Sequence, residues 1–352
     1  MSRTGVDISA AEVIAPNLKR RLSGVTTTVV RLVPMQARMI GMAVTGPGLP
    51  PDLPHVPLWR CFLLPRDRWR VWHARRNTEM ALGLILRYVF GRRIRLLFTS
   101  AAQRRHKRFT RWLIRRMDRV VATSPQAASY LEVPATVVMH GVDCDVFRPS
   151  PDKAAARCAL GLGETALLIG CFGRIRAQKG VDLLVDAALS LLPQRPGVQI
   201  LFAGRATDDQ QAFQAAQVAR LEAAGLADRV RFLGERPWDE IVRLYACLDL
   251  FCAPARWEGF GLTPLEAMAS GVPVVAARVG AFEALIRDGA TGTLVPPDDA
   301  TALTGAIRAW IDDRARLAAA GQVARAHVAE NHAIGTEAAA LVAIYRQMLG
   351  AT

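Results

Sequence analysis

The second half of the chain consists of short apolar runs that alternate with helix-like segments, and this pattern leaves few possible folds. The apolar runs lie at residues 166–171, 198–203, 229–233, 248–252 and 272–276. The helix-like segments between them lie at 181–192, 209–224, 238–246 and 263–269. Apolar runs without polar alternation are typical of strands buried on both faces. The pattern therefore predicts a doubly wound α/β domain with a parallel sheet.

The first half has a less regular pattern that also favours an α/β domain. Strands are predicted at 12–15, 70–73, 96–99 and 119–122, and helices at 24–32 and 77–90, with an irregular proline-rich segment at 47–65. A length of 352 residues suits two domains. Two prolines at 148–152 predict a linker there, so the domains are expected to span 1–150 and 151–335. The last helical pattern, about 336–352, is expected to pack back onto the first domain.

The charge of the chain is concentrated in its first half. Residues 1–150 hold 25 Lys and Arg against 9 Asp and Glu, whereas residues 151–352 hold 20 against 22. Such asymmetry predicts that the first half meets a polyanion: nucleic acid, an anionic membrane surface or an acidic lipid-linked substrate. The second half, which is nearly neutral, has no such requirement.

Positive charge is densest over residues 104–119, where the spacing predicts an amphipathic helix. Phe109, Trp112, Leu113 and Met117 would form its apolar stripe. The cations predicted to face a membrane or an acceptor are Arg104, Arg105, Lys107, Arg108, Arg111 and Arg115. An ordinary helix packed on a core, with a solvated basic face, explains the pattern equally well. Both interpretations hold together if the aromatic side chains point inward and the arginines point toward lipid.

Several other classes of protein and site are not indicated. No run of 18 apolar residues lacks a charge, which argues against a transmembrane helix, and the charge order near the start is the reverse of that in a signal peptide. The six cysteines lack CxxC spacing, so reduced thiols in the cytoplasm are expected. Neither a metal-ligand cluster nor a DxD motif at a strand end is visible, so we expect activity without a metal.

The segment from Glu258 to Glu266 is the sharpest candidate for a binding site. It follows a predicted strand and opens a helix, where open α/β sheets bind ligands. Gly259 and Gly261 would let the backbone approach a ligand, and amide groups at the helix start could hold phosphate or sugar oxygens. Both carboxylates could accept hydrogen bonds from hydroxyls in one pocket.

A second candidate lies in the loop after the strand at 166–171. Arg174 and Lys179 could converge on a diphosphate, since Gly173 and Gly180 loosen the backbone on either side. The loop lacks the phosphate-binding pattern GxxxxGK[ST]. Its position at the same sheet edge as the Glu258 segment favours one shared site.

These motifs resemble the retaining glycosyltransferases of family 4. The resemblance is carried by GRxxxxKG at 173–180, EGFGxxxxEAMAxGxPV at 258–274 and DGATG at 288–292, with HGVD at 140–143 and FRP at 147–149. Residues 13–28 and 72–79 are similar to the mannosyltransferases of lipopolysaccharide core assembly. The resemblance implies the GT-B fold, in which two Rossmann-like domains face each other across a cleft.

The resemblance also implies roles for individual residues. Arg174 and Lys179 would neutralise the nucleotide diphosphate, Glu258 would contact donor-sugar hydroxyls, and Glu266 would hold the ribose. Phe260, Gly261 and Leu262 would supply backbone contacts. Gly24 would lie in a glycine loop near the donor phosphate. His73 falls where relatives carry a histidine beside the reacting centre, although a packed histidine is the alternative for it.

The function expected from the resemblance is metal-independent transfer of mannose from GDP-mannose, with retention, to a lipid A or lipopolysaccharide core acceptor. The nucleotide sugar would be a co-substrate, with no separate cofactor. The enzyme would act in the cytoplasm as a peripheral protein on the inner face of the inner membrane. A UDP-glucose or UDP-galactose donor is the first alternative. A basic nucleic-acid-binding module without turnover is a distant second, since the aromatic platforms and zinc spacings of such modules are not visible.

Overall fold

The structure is a computed structural model that describes residues 7–20 and 24–350, with side chains from residue 26 onward in the second range. Contacts divide the chain into two compact units. The first contains the chain up to His140 together with the segment from Ile334 onward, and the second spans Gly141–Ala333.

The first unit is a parallel sheet with helices on both faces. Its strands are β1 (Val13–Pro16), β2 (Met42–Thr45), β3 (Arg70–Ala74), β4 (Ile94–Ser100), β5 (Arg119–Ala122) and β6 (Thr136–Val137). Its helices are α1 (Gly24–Gln36), α2 (Leu58–Cys61), α3 (Asn77–Tyr88), α4 (Arg108–Ile114), α5 (Pro125–Ser129) and the C-terminal α14 (Ile334–Leu349). The strand order is β2-β1-β3-β4-β5-β6, so the chain changes direction across the sheet between β1 and β3.

Two apolar clusters fill the two faces of this sheet. One joins α1 and α14 to the sheet and includes Leu32, Leu341 and Tyr345. The other lies beneath α2, α3 and α4 and includes Cys61, Leu84 and Leu113. Strands enclosed in this way need apolar residues at every position, which explains the unbroken apolar runs of the sequence.

The second unit repeats this architecture. Its strands are β7 (Leu167–Phe172), β8 (Val198–Ala203), β9 (Val230–Phe232), β10 (Leu250–Ala253), β11 (Val274–Ala277) and β12 (Gly292–Val295). Its helices are α6 (Lys153–Ala159), α7 (Val181–Leu191), α8 (Gln211–Ala223), α9 (Trp238–Cys247), α10 (Thr263–Ala269), α11 (Phe282–Leu285), α12 (Ala300–Ile311) and α13 (Arg314–Asn331). The strands pair in parallel in the order β12-β11-β10-β7-β8-β9. The predicted doubly wound α/β fold is confirmed for both units.

The boundary between the units differs from the predicted one at 150/151. The structure places it at 140/141, because the segment after Gly141 is bonded to the second unit. The Arg325 guanidinium donates to the carbonyl oxygens of Cys144 and Phe147, both at 2.8 Å. The Val142 amide donates to the His332 carbonyl at 2.8 Å. The prolines at 148–152 therefore lie within the second unit and lead into α6.

Candidate functional site

The two candidate loops of the second unit lie side by side at one edge of its sheet. β7 pairs with β10, and these neighbouring strands are followed by residues 173–180 and 254–262 respectively. The chain runs from β7 through β8 to β9 on one side and then returns to β10 on the other. Such a switch point opens a crevice at the carboxyl ends of the strands. The topology therefore brings together two motifs that are about 80 residues apart in the sequence.

Glycine allows the two loops to approach closely. Gly180 has φ +69°, and a Cβ at this position would lie 2.0 Å from the Pro254 carbonyl oxygen of the other loop. It follows a 3-10 turn at Ala177–Lys179 and precedes α7, so it redirects the chain between them. An L-residue would be both strained in this left-handed conformation and in collision with the neighbouring backbone.

Glu258 and Lys179 form an ion pair at the meeting point of the loops. The second carboxylate oxygen of Glu258 accepts a hydrogen bond from the Gly259 amide at 2.9 Å. Gly261 has φ +83°, and a Cβ there would lie 2.3 Å from the Phe282 ring and 2.9 Å from Glu258 Cγ. Gly261 is thus required for the position of Glu258 as well as for the turn.

A cavity opens beside this pair. Its lining includes Gly173, Arg174, Lys179 and Glu258, together with Thr263 at the start of α10. The aromatic rings of Phe172, Phe251 and Phe282 form much of the remainder. An apolar wall with a few convergent charges is typical of a small-molecule site. The structure therefore brings together Arg174, Lys179 and Glu258 of the predicted residues.

Arg176 adds a third cation that the sequence analysis did not select. Burial and the nearby Arg174 charge lower its guanidinium pKa. Its Nε is buried without a hydrogen-bond partner. The nearby Glu258 charge opposes this lowering of the pKa, so Arg176 lies near the site although it does not line the cavity. In the sequence, its position between Arg174 and Lys179 was the feature that could have indicated Arg176 as a site residue.

Glu266 does not line the cavity. It is buried in α10, and the Tyr245 hydroxyl donates to its carboxylate at 3.0 Å. The Tyr245 ring in turn packs against the cavity residue Phe172, with 4.8 Å between ring centroids. Glu266 therefore contacts Tyr245 in this arrangement, and the expectation that both glutamates share one pocket stays a prediction. Its role toward a ribose stays a prediction.

Phe260 and Leu262 hold the loop in place. The Phe260 side chain is buried, and its carbonyl accepts a hydrogen bond from the Ala281 amide at 3.3 Å. Leu262 immediately precedes α10. Their proposed backbone contacts to a donor stay predictions.

Arg256, also not selected from the sequence, joins the two loops. Its guanidinium donates to both Asp182 carboxylate oxygens at 2.8 Å and to Asp298 at 2.7 Å. It also donates to the carbonyl of Ala177, and its own amide donates to the Gln178 carbonyl at 2.9 Å. The two carboxylates raise the pKa of Arg256 above its usual range. Arg256 therefore fixes the loop that carries Lys179 against the loop that carries Glu258.

His73 ends up buried at the switch point of the first unit, on β3. One ring nitrogen lies 2.7 Å from the Tyr345 hydroxyl and the other 2.7 Å from Thr99 Oγ1. Burial lowers the His73 pKa well below its usual value, so the ring is neutral. Neither nitrogen is open to a substrate in this arrangement, and the catalytic role stays a prediction.

Gly24 is the first residue of α1, on the other side of the same switch point, and residues 21–23 before it lie outside the described range. The loop after β1 is joined to the loop after β3 through Arg76, which was not selected either. Its guanidinium donates to Asn17 Oδ1 at 2.8 Å and to the buried Glu79 at 2.7 Å.

The basic helix differs from its prediction. It spans only Arg108–Ile114, and its aromatic side chains point outward: Phe109 is 60% and Trp112 47% exposed, whereas Leu113 is buried. The expectation of inward aromatic residues is wrong because Leu113 and Ile114 fill the core contact of this short helix.

Half of the six predicted surface cations meet one carboxylate. Arg105, Arg111 and Arg115 all donate to Glu132, and the hydrogen bonds from Arg105 and Arg111 lower its pKa to about 2. Arg104, Lys107 and Arg108 are exposed. The basic surface is therefore partly neutralised within the unit.

Two further features concern the described part of the chain. It contains no group of three or more His, Cys, Asp or Glu side chains placed to bind a metal. Among the same residues, none of the helices has the length and apolar character needed to cross a bilayer.

The chain is similar to known proteins in both sequence and structure. The family model "Glycosyl transferases group 1" matches residues 152–327. The chain is 51% identical to the lipopolysaccharide core biosynthesis mannosyltransferase LpsB of Rhizobium meliloti (strain 1021), over 98% of this chain and 99% of that protein. It is also 51% identical to the lipopolysaccharide core biosynthesis mannosyltransferase LpcC of Rhizobium leguminosarum bv. viciae, over 98% of both.

Among solved structures, Anabaena HepE in complex with UDP superposes with a TM-score of 0.82, over 96% of this chain and all of that one. The two sequences are 20% identical, so this likeness concerns the fold alone.

Proposed function

The chain belongs to the group 1 glycosyl transferases and is a hexosyltransferase, and on that premise we propose that it transfers mannose from GDP-mannose, with retention, to a lipopolysaccharide core acceptor. Its near full-length identity to two proteins named as mannosyltransferases of lipopolysaccharide core biosynthesis supports the choice of sugar and acceptor. The observation that carries the catalytic assignment is the convergence of Arg174, Lys179 and Glu258 on one cavity.

The chemistry follows from the charges that develop when the donor reacts. The bond between the anomeric carbon and a phosphate oxygen breaks, leaving negative charge on the diphosphate and positive charge on the sugar. Arg174 and Lys179 would stabilise the diphosphate, and Lys179 is already held in position by Glu258. Glu258 would orient Lys179 and accept hydrogen bonds from sugar hydroxyls. The acceptor oxygen would form the new bond to the anomeric carbon on the retained face, while the departing phosphate takes the acceptor's proton. Because the cations would balance the charge of the diphosphate, we expect the reaction to need no metal.

The acceptor is proposed to be lipid-linked and anionic, reached from the cytoplasmic face of the inner membrane. The excess of 25 basic over 9 acidic residues in residues 1–150 supports an anionic surface as the partner of the first unit. The enzyme would bind that surface as a peripheral protein and would not require nucleic acid.

The donor is tested by thermal unfolding of the purified protein with GDP, UDP and ADP at equal concentration. GDP should raise the melting temperature most, because the proposed donor is GDP-mannose and GDP should bind most tightly. A ligand at 100 times its Kd stabilises the folded state by about 2.7 kcal/mol. Lys179→Ala should remove this shift while leaving the unliganded melting temperature within a few degrees. If UDP gave the larger shift, the proposed donor would be a UDP-sugar and not GDP-mannose.

The reaction itself is tested with the donor and an acceptor extracted from a core-deficient strain, in the presence of a chelator. Turnover should persist with the chelator and fall at least about 100-fold in Glu258→Ala, because a charged group at the reacting centre is lost. Full activity of Glu258→Ala would contradict the assignment of this site.

A further inference from the structure

Exposed large apolar side chains are concentrated in one segment of the first unit. Sixteen such side chains occur among the described residues, and nine of them fall between residues 59 and 112. The nine are Trp59, Leu63, Trp69, Ile85, Tyr88, Val89, Phe90, Phe109 and Trp112. Monomeric proteins rarely expose contiguous apolar patches unless these bind something.

This segment forms a single helical layer. α2, α3 and α4 all contribute to the apolar cluster on one face of the sheet, so their other sides form one outer surface. Asn77 of α3 donates to Thr110 of α4 at 2.8 Å, and Arg87 of α3 pairs with Asp118 beyond α4 at 2.7 Å. Phe62, just after α2, packs against Phe90 with 4.9 Å between centroids. We call this outer surface the α2–α4 face.

Aromatic rings and guanidinium groups are paired on the α2–α4 face. Phe109 and Trp112 stack on each other at 6.0 Å, and the Arg116 guanidinium lies 3.8 Å from the Trp112 ring centroid. Arg60 lies over Trp59 and Arg87 over Tyr88, each at 5.4 Å. Side chains with an apolar body and a polar end are favoured at the boundary between lipid and water.

The charge of this region selects an anionic partner. Residues 57–119 contain 18 Lys and Arg against three Asp and Glu. Glu132 meets three of these arginines, but Arg104, Lys107 and Arg108 are exposed beside the aromatic pair. Cations next to inserted aromatic residues match the phosphate layer of an anionic bilayer.

The geometry is less suited to nucleic acid. Proteins that bind single strands stack successive bases on open aromatic faces. Here Phe109 and Trp112 stack on one another, and Arg116 covers the Trp112 ring. A bilayer, which needs exposed apolar area and no free ring face, fits the arrangement better.

We propose that the α2–α4 face docks on an anionic lipid bilayer, with Phe109 and Trp112 entering the interface and the surrounding arginines contacting lipid phosphates. The inference deepens the proposed function, since that function places the acceptor in a membrane. It differs from binding through a basic helix alone, because the apolar contact comes from side chains that a purely electrostatic surface would not need.

The test is co-sedimentation of the full chain with vesicles of phosphatidylcholine, with or without phosphatidylglycerol. The wild-type chain should sediment with the anionic vesicles. The double variant Phe109→Ser/Trp112→Ser should bind them at least about tenfold more weakly, since its apolar contact is lost. The matched control is Trp238→Ser, which removes a tryptophan that is 53% exposed in the second unit and should bind like the wild type.

A charge variant separates the two contributions. Arg104→Gln/Arg108→Gln should weaken binding to anionic vesicles and reduce its dependence on salt, because two phosphate contacts are lost. Circular dichroism and the melting temperature of each variant establish that it is folded. Unchanged vesicle binding by the aromatic variant would overturn the proposal.

Other partners give distinct results. Binding of single-stranded RNA at concentrations that leave the vesicles unbound would overturn the proposal, as would a dimer in sedimentation velocity that the aromatic variant abolishes. The vesicle assay uses neither donor nor acceptor, so its outcome is independent of the proposed reaction. If vesicles bind but no nucleotide raises the melting temperature, docking stands and the proposed function fails; the reverse result has the opposite meaning.

Discussion

Single residues outside the cavity determine how the cavity is formed. Arg256 does not line the cavity. Its bonds to Asp182, Asp298 and the Ala177 carbonyl nevertheless hold the loop that carries Lys179 against the loop that carries Glu258. Glu266 also acts from outside the cavity, because it accepts a hydrogen bond from Tyr245, whose ring packs against the cavity residue Phe172. Neither arrangement is visible in a local motif, since each partner lies on a different element.

Replacing Arg256 with Gln should lower the free energy of unfolding by about 1–3 kcal/mol, because partly buried charge-assisted bonds are lost. The stabilisation by GDP should fall more strongly, since Lys179 and Glu258 would no longer be held together. Arg256→Lys should restore little, because a single ammonium cannot bond both carboxylates in the same way. Urea unfolding with and without GDP measures both effects.

The control for this experiment is Arg243→Gln. Arg243 pairs with Asp239 one helical turn away, and their side chains are 57% and 73% exposed. Such surface pairs contribute about 0–1 kcal/mol, so both measurements should match the wild type. If Arg256→Gln also matched the wild type, its positioning role would be excluded.

At the scale of elements, the central strands and the longer helices could be predicted, and three of the four edge strands could not. β7, β8, β10 and β11 lie within about two residues of the predicted strands because their apolar runs are continuous. β2, β6 and β12 were missed: all three lie at the edge of a sheet, and β6 is exposed at both positions. Such strands are defined by their pairing with a neighbour rather than by their own sequence pattern.

The α4 segment shows why periodicity could not identify the buried face. The spacing of Phe109, Trp112 and Leu113 is helical, but only Leu113 faces the core. Periodicity predicts that one face is apolar and does not state what covers it. On a surface that binds a membrane, the apolar stripe of a helix is also its solvent-exposed face.

Two glycines allow a matched experiment on the close approach of the site loops: Gly180 lies where the loops meet, and Gly225 follows α8. Gly180→Ala and Gly225→Ala both place an alanine at nearly the same left-handed φ, +69° and +68° respectively. Nothing lies within 4 Å of the Cβ position at Gly225, whereas the Pro254 carbonyl lies 2.0 Å from that at Gly180. Both variants should lose about 1–2 kcal/mol from the backbone strain, and Gly180→Ala about 1–3 kcal/mol more from overpacking.

The readout is again urea unfolding with and without GDP. Only Gly180→Ala should lose stabilisation by the nucleotide, because it separates the loops that carry Lys179 and Glu258. Equal behaviour of the two variants would mean that the close approach of the loops is unimportant for binding.

At the scale of the whole molecule, buried neutral histidines link stability to pH. His332, in the second unit, has its pKa lowered to about 4 by burial and by the nearby His327 and Arg287. An unfolded histidine titrates near 6.5, so the unfolded state binds more protons between about pH 6.5 and 4. The free energy of unfolding should therefore fall as the pH is lowered through this window, by about 2–3 kcal/mol for His332.

Replacing His332 with Phe keeps a ring of similar size and removes the titrating group. Its unfolding free energy should change less than that of the wild type between pH 7 and pH 4.5, as measured by urea unfolding across that range. Parallel pH profiles of the two proteins would show that His332 contributes no linkage.

The alternation of buried strands and helices, the uneven charge and the residue types of the two site loops could all be read from the sequence alone. These are local properties, since apolar periodicity, charge and glycine content are written in contiguous stretches. The folded structure was needed to show that Arg174, Lys179 and Glu258 share a cavity, that Glu266 bonds to Tyr245, and that Phe109 and Trp112 face outward. Those outcomes depend on strand order and on packing between distant elements, where the buried partner of a side chain is chosen by the fold as a whole.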